Sequence, residues 1–237
     1  MQKLFDRTLI ISPHCDDETI GCGGLLSRIV KNNQEALIVE IAESHSYSNN
    51  VKRYVDNKDR MNELDNAIKV IKSYGNGIIN SMQLKDETIK FIDGELDSVP
   101  KKKYVTMLDS LIEEFKPTAV LFPYKSHHQD HKLVHDVVIS ALRPTIDTNF
   151  IQLKAMYEYT YYDGWNPEKL TNKLYVELTE SDLRIKMAAL DCFKSQIRKD
   201  PRDLLDLSAI EDLARIRGRE IGTYYAEAFY PLSIVYK

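Results

Sequence analysis

The sequence predicts an α/β fold: a Rossmann-like three-layer sandwich with a mostly parallel central sheet. Three observations carry this. Short β-branched apolar runs alternate with amphipathic helical stretches along the chain. The first two runs and the helix between them fit within residues 8–42, a strand–helix–strand unit that calls for a right-handed crossover and parallel strands. No Pro-, Gly- or Ser-rich linker and no internal repeat interrupts the pattern. Residues 1–237 are therefore read as a single domain, a length that buries one sizeable core.

Taken in order, residues 8–12 (TLIIS) suit a strand buried on both faces, ended by Ser12-Pro13. Residues 17–31 carry Ile20, Leu25, Leu26, Ile29 and Val30 at helical spacing, and residues 36–42 (ALIVEIA) form the next strand. Residues 56–74 put Met61, Leu64, Ile68 and Ile71 on one side of a helix. Gly75 follows, where a left-handed cap is cheap for glycine. Residues 78–84 read as a strand, 104–114 as an amphipathic helix stopped by Pro117, and 119–122 (AVLF) as another buried strand. A helix over 131–142 is followed by strands at 155–161 and 173–178. Then come a helix over 181–196, with Ser181 as N-cap, and a helix over 204–218. The apolar tail 229–236 is read as a final strand, a subunit contact in a homo-oligomer being the alternative. The glycines of Gly21-Cys22-Gly23-Gly24 fall inside the first helix without dinucleotide-loop spacing, so they mark close packing of helix on sheet.

Composition narrows the function. With 43% hydrophobic and 29% charged residues the chain is neither low-complexity nor collagenous. A formal charge of −4 argues against a general nucleic-acid partner. No apolar run approaches the roughly 20 residues that a membrane span requires. Cys15, Cys22 and Cys192 cannot make a disulfide framework and suggest a reducing compartment. The short apolar N-terminal stretch, followed by Asp16, Asp17 and Glu18, is no secretory signal, so a cytoplasmic location is expected.

Two polar clusters fall at the carboxyl ends of predicted strands, where ligands bind in such sheets. The first is Pro13-His14-Cys15-Asp16-Asp17-Glu18. Three successive acids after a buried strand are costly unless charge offsets them. A helix N-terminus capped by Asp16 or Asp17 offers part of that compensation. His14 and Asp17, three apart in a tight turn, are also both zinc-ligand types. Asp16 between them is placed to accept a proton from a metal-activated water.

The second cluster is Ser126-His127-His128-Gln129-Asp130-His131, with His135 beyond; four of the six histidines lie within residues 127–135. His131 is common to both i, i+4 pairs, with His127 and His135, and is read as opening the helix. His128, three residues earlier, can face the same cavity, with Asp130 in the turn between. A solvated loop with free histidines is the alternative. The HExxH zinc-protease pattern is absent. Cys15 beside His14 raises nucleophilic catalysis, but adjacent residues in a turn often point apart and no thiol-protease signature surrounds it.

With both clusters in place, the chain resembles the LmbE-like (PIG-L type) N-acetylglucosaminyl deacetylase family. Its first motif, approximately [AP]-H-P-D-D-E, is matched at residues 13–18, and its second, H-x-D-H, at His128-Gln129-Asp130-His131. Weaker likenesses lie at Arg60, Glu63, Ala67 and Gly75, and at Arg217-Gly218, Gly222 and Tyr225-Ala226-Glu227-Ala228-Phe229. The resemblance implies zinc, or another divalent ion, held by His14, Asp17 and His131. It implies Asp16 as general base, His128 as general acid and oxyanion partner, and Asp130 orienting or charging His128. It puts Arg60 near the sugar or its aglycone, where a solvated arginine is the alternative, and leaves Glu18 as a supporting or helix-start acid. The implied reaction frees acetate and an amino sugar from an N-acetylated sugar conjugate. A zinc amidase acting on another amide and a non-catalytic binding module are the competing readings. The sequence departs from the pattern at Cys15 (usually Pro), at residues 42–48 (often a Gly-rich turn) and at Ser126 (tyrosine in some members).

Overall fold

β1 (Arg7–Ser12) is buried from Thr8 onward. In the computed structural model, which describes residues 2–145, 148–159 and 171–236, it is the third of seven strands in the main sheet. α1 (Asp17–Lys31) leads to β2 (Glu35–Glu40), which lies parallel to β1 with Leu9 beside Leu37. A hairpin of β3 (Ser46–Ser48) and β4 (Arg53–Val55) stands outside that sheet. α2 (Asn57–Lys72) leads to β5 (Ile78–Gln83), parallel to β2. α3 (Lys101–Phe115) then carries the chain to β6 (Ala119–Pro123) on the other side of β1. α4 (Gln129–Ala141) and β7 (Leu153–Tyr157) extend that side, and β8 (Leu174–Leu178), α5 (Glu180–Leu190), α6 (Leu207–Glu220) and β9 (Tyr225–Ile234) follow.

The strand order is β5-β2-β1-β6-β7-β9-β8. β9 runs antiparallel to both β7 and β8, and the other pairings in the main sheet are parallel. Alternation along the strands splits the core in two. Ile10, Ile38, Leu121 and Ala155 pack with Leu26, Leu64, Leu190 and Ile210 of α1, α2, α5 and α6. Leu9, Ile11, Val39 and Phe122 pack with Tyr104, Leu108, Val134 and Val138 of α3 and α4. These are the three layers. From β1 the chain first winds toward β5 and then returns to β6, so the crevice between the carboxyl ends of β1 and β6 is the topological switch point.

Local chemistry shifts several predicted boundaries. α4 opens at Gln129, not at His131, because the His128 side chain caps it. α5 is capped by Thr179 in a reciprocal box with Asp182, so Ser181 is not its cap, and the helix ends at Leu190, short of 196. Gly75 takes no positive φ. A Cβ there would run into the backbone of Val30 at the end of α1, so its requirement is close approach. The strand predicted over 155–161 is β7, and residues 160–161 lie outside the described residues. The final strand begins at Tyr225. Gly21 and Gly24 pack on the sheet as expected, where a Cβ would meet Tyr157 and Leu178, whereas Gly23 packs against Lys186 of α5. Among the described residues no helix is long and apolar enough to cross a membrane.

Candidate active site

The turn after β1 is built on an unusual backbone. Asp16 has φ 143°, a region an L-residue seldom occupies. Its carbonyl accepts the N–H groups of Thr19 (3.0 Å) and Ile20 (2.8 Å) and so starts α1, yet its side chain makes no cap. Its own N–H donates to Glu18 Oε2 at 2.9 Å. The carboxylate faces Arg60 of α2 instead, with Nη2 3.3 Å from Oδ1. Arg60 is 2% exposed. Its guanidinium also donates to the Cys15 carbonyl, to Glu63 (3.1 Å) and to Ser195 Oγ (3.2 Å). It is therefore no solvated arginine.

The two clusters meet across the switch point. Asp17 Oδ2 accepts the His14 N–H at 3.0 Å and lies 3.3 Å from His14 Nδ1 and 3.2 Å from His131 Nε2. The other His14 nitrogen, Nε2, is 3.0 Å from Asp130 Oδ2 and 3.3 Å from Asp93 Oδ1. Asp130 Oδ2 also accepts the Gly94 N–H at 2.7 Å. His128 accepts the Asp130 N–H on Nδ1 at 3.2 Å, the bond that caps α4. The rings of His14 and His128 are 4.9 Å apart, and those of His14 and His131 are 5.5 Å apart.

Ionisation follows from this crowding. Burial opposes a charge on His14, but hydrogen bonds to Asp130, Asp17 and Asp93 outweigh it and raise its pKa well above the usual value. Burial likewise opposes charge on Asp17, yet His131 and His14 beside it hold its carboxyl far below the usual range. Asp16 moves the other way: burial, only partly offset by Arg60, raises it well above an ordinary aspartate. Burial, then the neighbouring His14 and His131, lowers His128. Beneath the turn, burial, then the charges of Glu18 and Asp17, raise the Glu40 pKa well above the usual value.

Two groups of donor atoms could hold a cation: His14, Asp17 and His131, and His14, Asp93, His128 and Asp130. The first suits a metal better. Among the described residues each group holds a buried carboxylate oxygen without a hydrogen-bond partner, Asp17 Oδ1 in the first and Asp130 Oδ1 in the second, so the histidines discriminate. In the second, His128 has its Nδ1 lone pair occupied by the helix cap, so a neutral ring keeps its proton on Nε2. The remaining three histidines stand aside: His45 and His127 are exposed, and His135 pairs with Asp136 at 3.4 Å. Cys15 is buried with its thiol directed at Met61 Sδ (3.6 Å), and burial pushes its pKa up, which is wrong for a nucleophile. Asp93 escaped the sequence reading; its one signal is the Asp-Gly pair, with Gly94 at φ 80° turning the backbone back toward Asp130. Tyr159, whose ring stands 4.8 Å from His131, carried no signal.

Comparison with known proteins bears on the family and the fold. The family model PIG-L, GlcNAc-PI de-N-acetylase, matches residues 9–142. The probable N-acetyl-alpha-D-glucosaminyl L-malate deacetylase 2 of Bacillus subtilis (strain 168) is 26% identical over 147 residues, 58% of this chain. That match spans 61% of the relative's own length. Among solved structures, the A40926 pseudoaglycone deacetylase Dbv21 has a TM-score of 0.73 at 18% identity, covering 98% of this chain and 100% of that one. The N,N'-diacetylchitobiose deacetylase of Pyrococcus horikoshii has a TM-score of 0.70 at 19% identity, covering 96% and 84%. At these identities the structural likeness shows the α/β three-layer fold. The family match reaches further: it covers more than half of the chain and includes both polar clusters, so the chain belongs to the PIG-L (LmbE-like) family.

Proposed function

We propose that the protein removes the acetyl group from an N-acetylglucosamine-type glycoconjugate, giving acetate and a free amino sugar, with zinc or another divalent ion as cofactor. The observation that carries this reading is the convergence of His14, Asp17 and His131 from two turns about 110 residues apart in the chain, as such a catalytic centre requires. Family membership supports the reaction class. The relatives above are named as deacetylases of an N-acetyl-glucosaminyl malate, of the A40926 pseudoaglycone and of N,N'-diacetylchitobiose, which supports an amino-sugar amide as substrate.

The residues fit the ion. Two imidazoles and a carboxylate with ligand atoms within 4.8 Å of one another match zinc's preferences, and the unpartnered Asp17 Oδ1 is a buried oxygen in want of a positive charge. When bound, the ion supplies Lewis acidity, making a water more acidic and polarising the acetamide carbonyl.

The chain's own residues do the rest. Asp16 accepts the proton of the attacking water, and its raised pKa keeps that proton available for the departing amine nitrogen. Arg60 sits behind Asp16 and holds its carboxylate in place, which assigns it to the base and not to direct sugar contact. Burial and the neighbouring imidazoles lower the His128 pKa, and its Nδ1 is committed to the Asp130 N–H, so Nε2–H is the donor to the carbonyl oxygen as negative charge builds there. Asp130 orients His128 through that backbone N–H and steadies His14 through its carboxylate.

The test is acetate release from a panel of N-acetylated glucosamine conjugates by the full chain supplied with zinc. Asp16→Asn is expected to keep zinc and lose about 10²–10⁴-fold in kcat. Full activity in that variant overturns the base assignment. Acetate from no sugar conjugate, with release from other amides, overturns the substrate class.

A further inference from the structure

The C-terminal motif around Arg217 plays no part in the chemistry just described, yet it reaches the centre through one ion pair. Glu158 follows β7 directly and is 6% exposed. Arg217 of α6 grips its carboxylate with two nitrogens, Nε donating to Oε2 at 2.8 Å and Nη2 to Oε1. Tyr230 of β9 adds an O–H donated to Oε1 at 3.3 Å. Buried ion pairs are poor devices for stability, but their geometry is directional.

That direction matters at the neighbouring residue. Tyr157 donates its O–H to the Ile11 carbonyl at 3.2 Å. Gly21 of α1 lies so close that a Cβ there would meet the Tyr157 ring and the Glu158 carbonyl. The backbone of residues 157–158 is thus held from β1, α1 and α6. Tyr159 follows, its ring 4.8 Å from that of His131 and inclined at 69°. His131 needs such a neighbour: among the described residues its buried Nδ1 has no hydrogen-bond partner, and packing is what fixes the rotation of the ring on that side.

We propose that the Arg217–Glu158 pair is a positioning device that fixes the His131 ring through Tyr159. The proposal rests on the reading of His131 as an ion ligand. It assigns a role at the centre to α6, beyond the residues that the family model matches.

The experiment measures zinc affinity by competition with a chromophoric chelator, and the visible spectrum of the cobalt-substituted full chain, with thermal melting of the metal-free protein as a folding control. Tyr159→Ala, Glu158→Gln and Arg217→Met are each expected to weaken zinc binding about tenfold, as loss of an outer-sphere partner typically does, and to shift the cobalt bands. Tyr159→Phe should bind like wild type. Arg217→Lys should recover part of the loss, and Glu158→Gln combined with Arg217→Met should be no weaker than either alone. Tyr159→Ala carries the test if the Arg217 variants fail to fold. Unchanged affinity and spectrum in Tyr159→Ala, or a lower melting temperature with unchanged affinity in Glu158→Gln, overturns the proposal. A wild-type chain that takes up no ion removes the reading beneath it as well; a wild type that binds alongside variants that bind equally removes the positioning role alone.

Discussion

At the scale of the residue, Asp16 concentrates the conflict. Its backbone sits at φ 143°, a conformation that costs about 1–3 kcal/mol and persists only where its surroundings over-determine it. Here they do: Glu18 takes its N–H, and Arg60 takes the carbonyl of Cys15 and the side chain of Asp16 together. Arg60→Met leaves Asp16 and Glu63 facing an apolar thioether in place of a cation. Urea unfolding should show a loss of about 3–5 kcal/mol, the usual cost of breaking a buried pair by removing one partner. A loss below 1 kcal/mol would mean that Arg60 is dispensable to the turn. The turn itself is legible in the sequence, because acids crowded after a buried strand demand an explanation. The task of Arg60 is not, because nothing local tells a solvated arginine from one that folds back 45 residues to the chain before it. Asp93 is hidden for the same reason, being one of 36 acidic residues and joined to His14 only by tertiary structure.

At the scale of the element, turns and close approaches decide what periodicity cannot. The helices were legible from apolar spacing, but their starts belong to caps: Asp56 with Asp59 for α2, Thr179 with Asp182 for α5, and His128 for α4. The β3–β4 hairpin left no trace, since strands of three residues with Tyr47 and Tyr54 exposed carry no alternation to read. Ahead of α3, Asp86 ties a turn through the N–H groups of Thr88 and Ile89 and pairs with Lys103 at 2.5 Å. The Lys103 bond, followed by the Thr88 bonds, lowers its pKa to about 2. A carboxyl with a depressed folded-state pKa stabilises at pH above its unfolded value of about 3.9 and loses that contribution as pH falls toward 2. Asp86→Asn should therefore melt lower than wild type at pH 6, and the gap should close between pH 4 and 2; a gap constant with pH refutes the linkage. In α1, Gly21→Ala pushes a methyl into the Tyr157 ring and should cost about 1–3 kcal/mol in urea. A neutral result there would show that α1 can slide on β7.

At the scale of the whole molecule, the order of winding makes the site. β1 and β6 are parallel neighbours in space and far apart in the chain, and each ends in a polar turn, so the reversal of the winding order at β1 brings two clusters to one crevice. That much followed from alternating strands and helices. The insertion of β9 between β7 and β8 did not, because strand pairing is tertiary and the tail carries Pro231 in mid-strand. Pro231 lies beside Ala155, where the register with β7 shifts, a position that tolerates a missing N–H. The buried acids at the crevice leave the fold with charge to be balanced, so an ion there should stabilise the whole. Zinc at about 100 times its Kd should add about 2.7 kcal/mol and raise the melting temperature, and a chelator should reverse it. His14→Ala should show no such rise, and a rise of equal size in that variant would place the ion elsewhere.

The placement of β9 also bears on how the chain is assembled during synthesis. Among the described residues β8 finds no neighbour in the main sheet except β9, yet it is made some 50 residues earlier. A polypeptide growing from its N-terminus builds the five strands from β5 to β7 while β8 waits beside them, and that flank of the sheet closes only when residues 225–234 arrive.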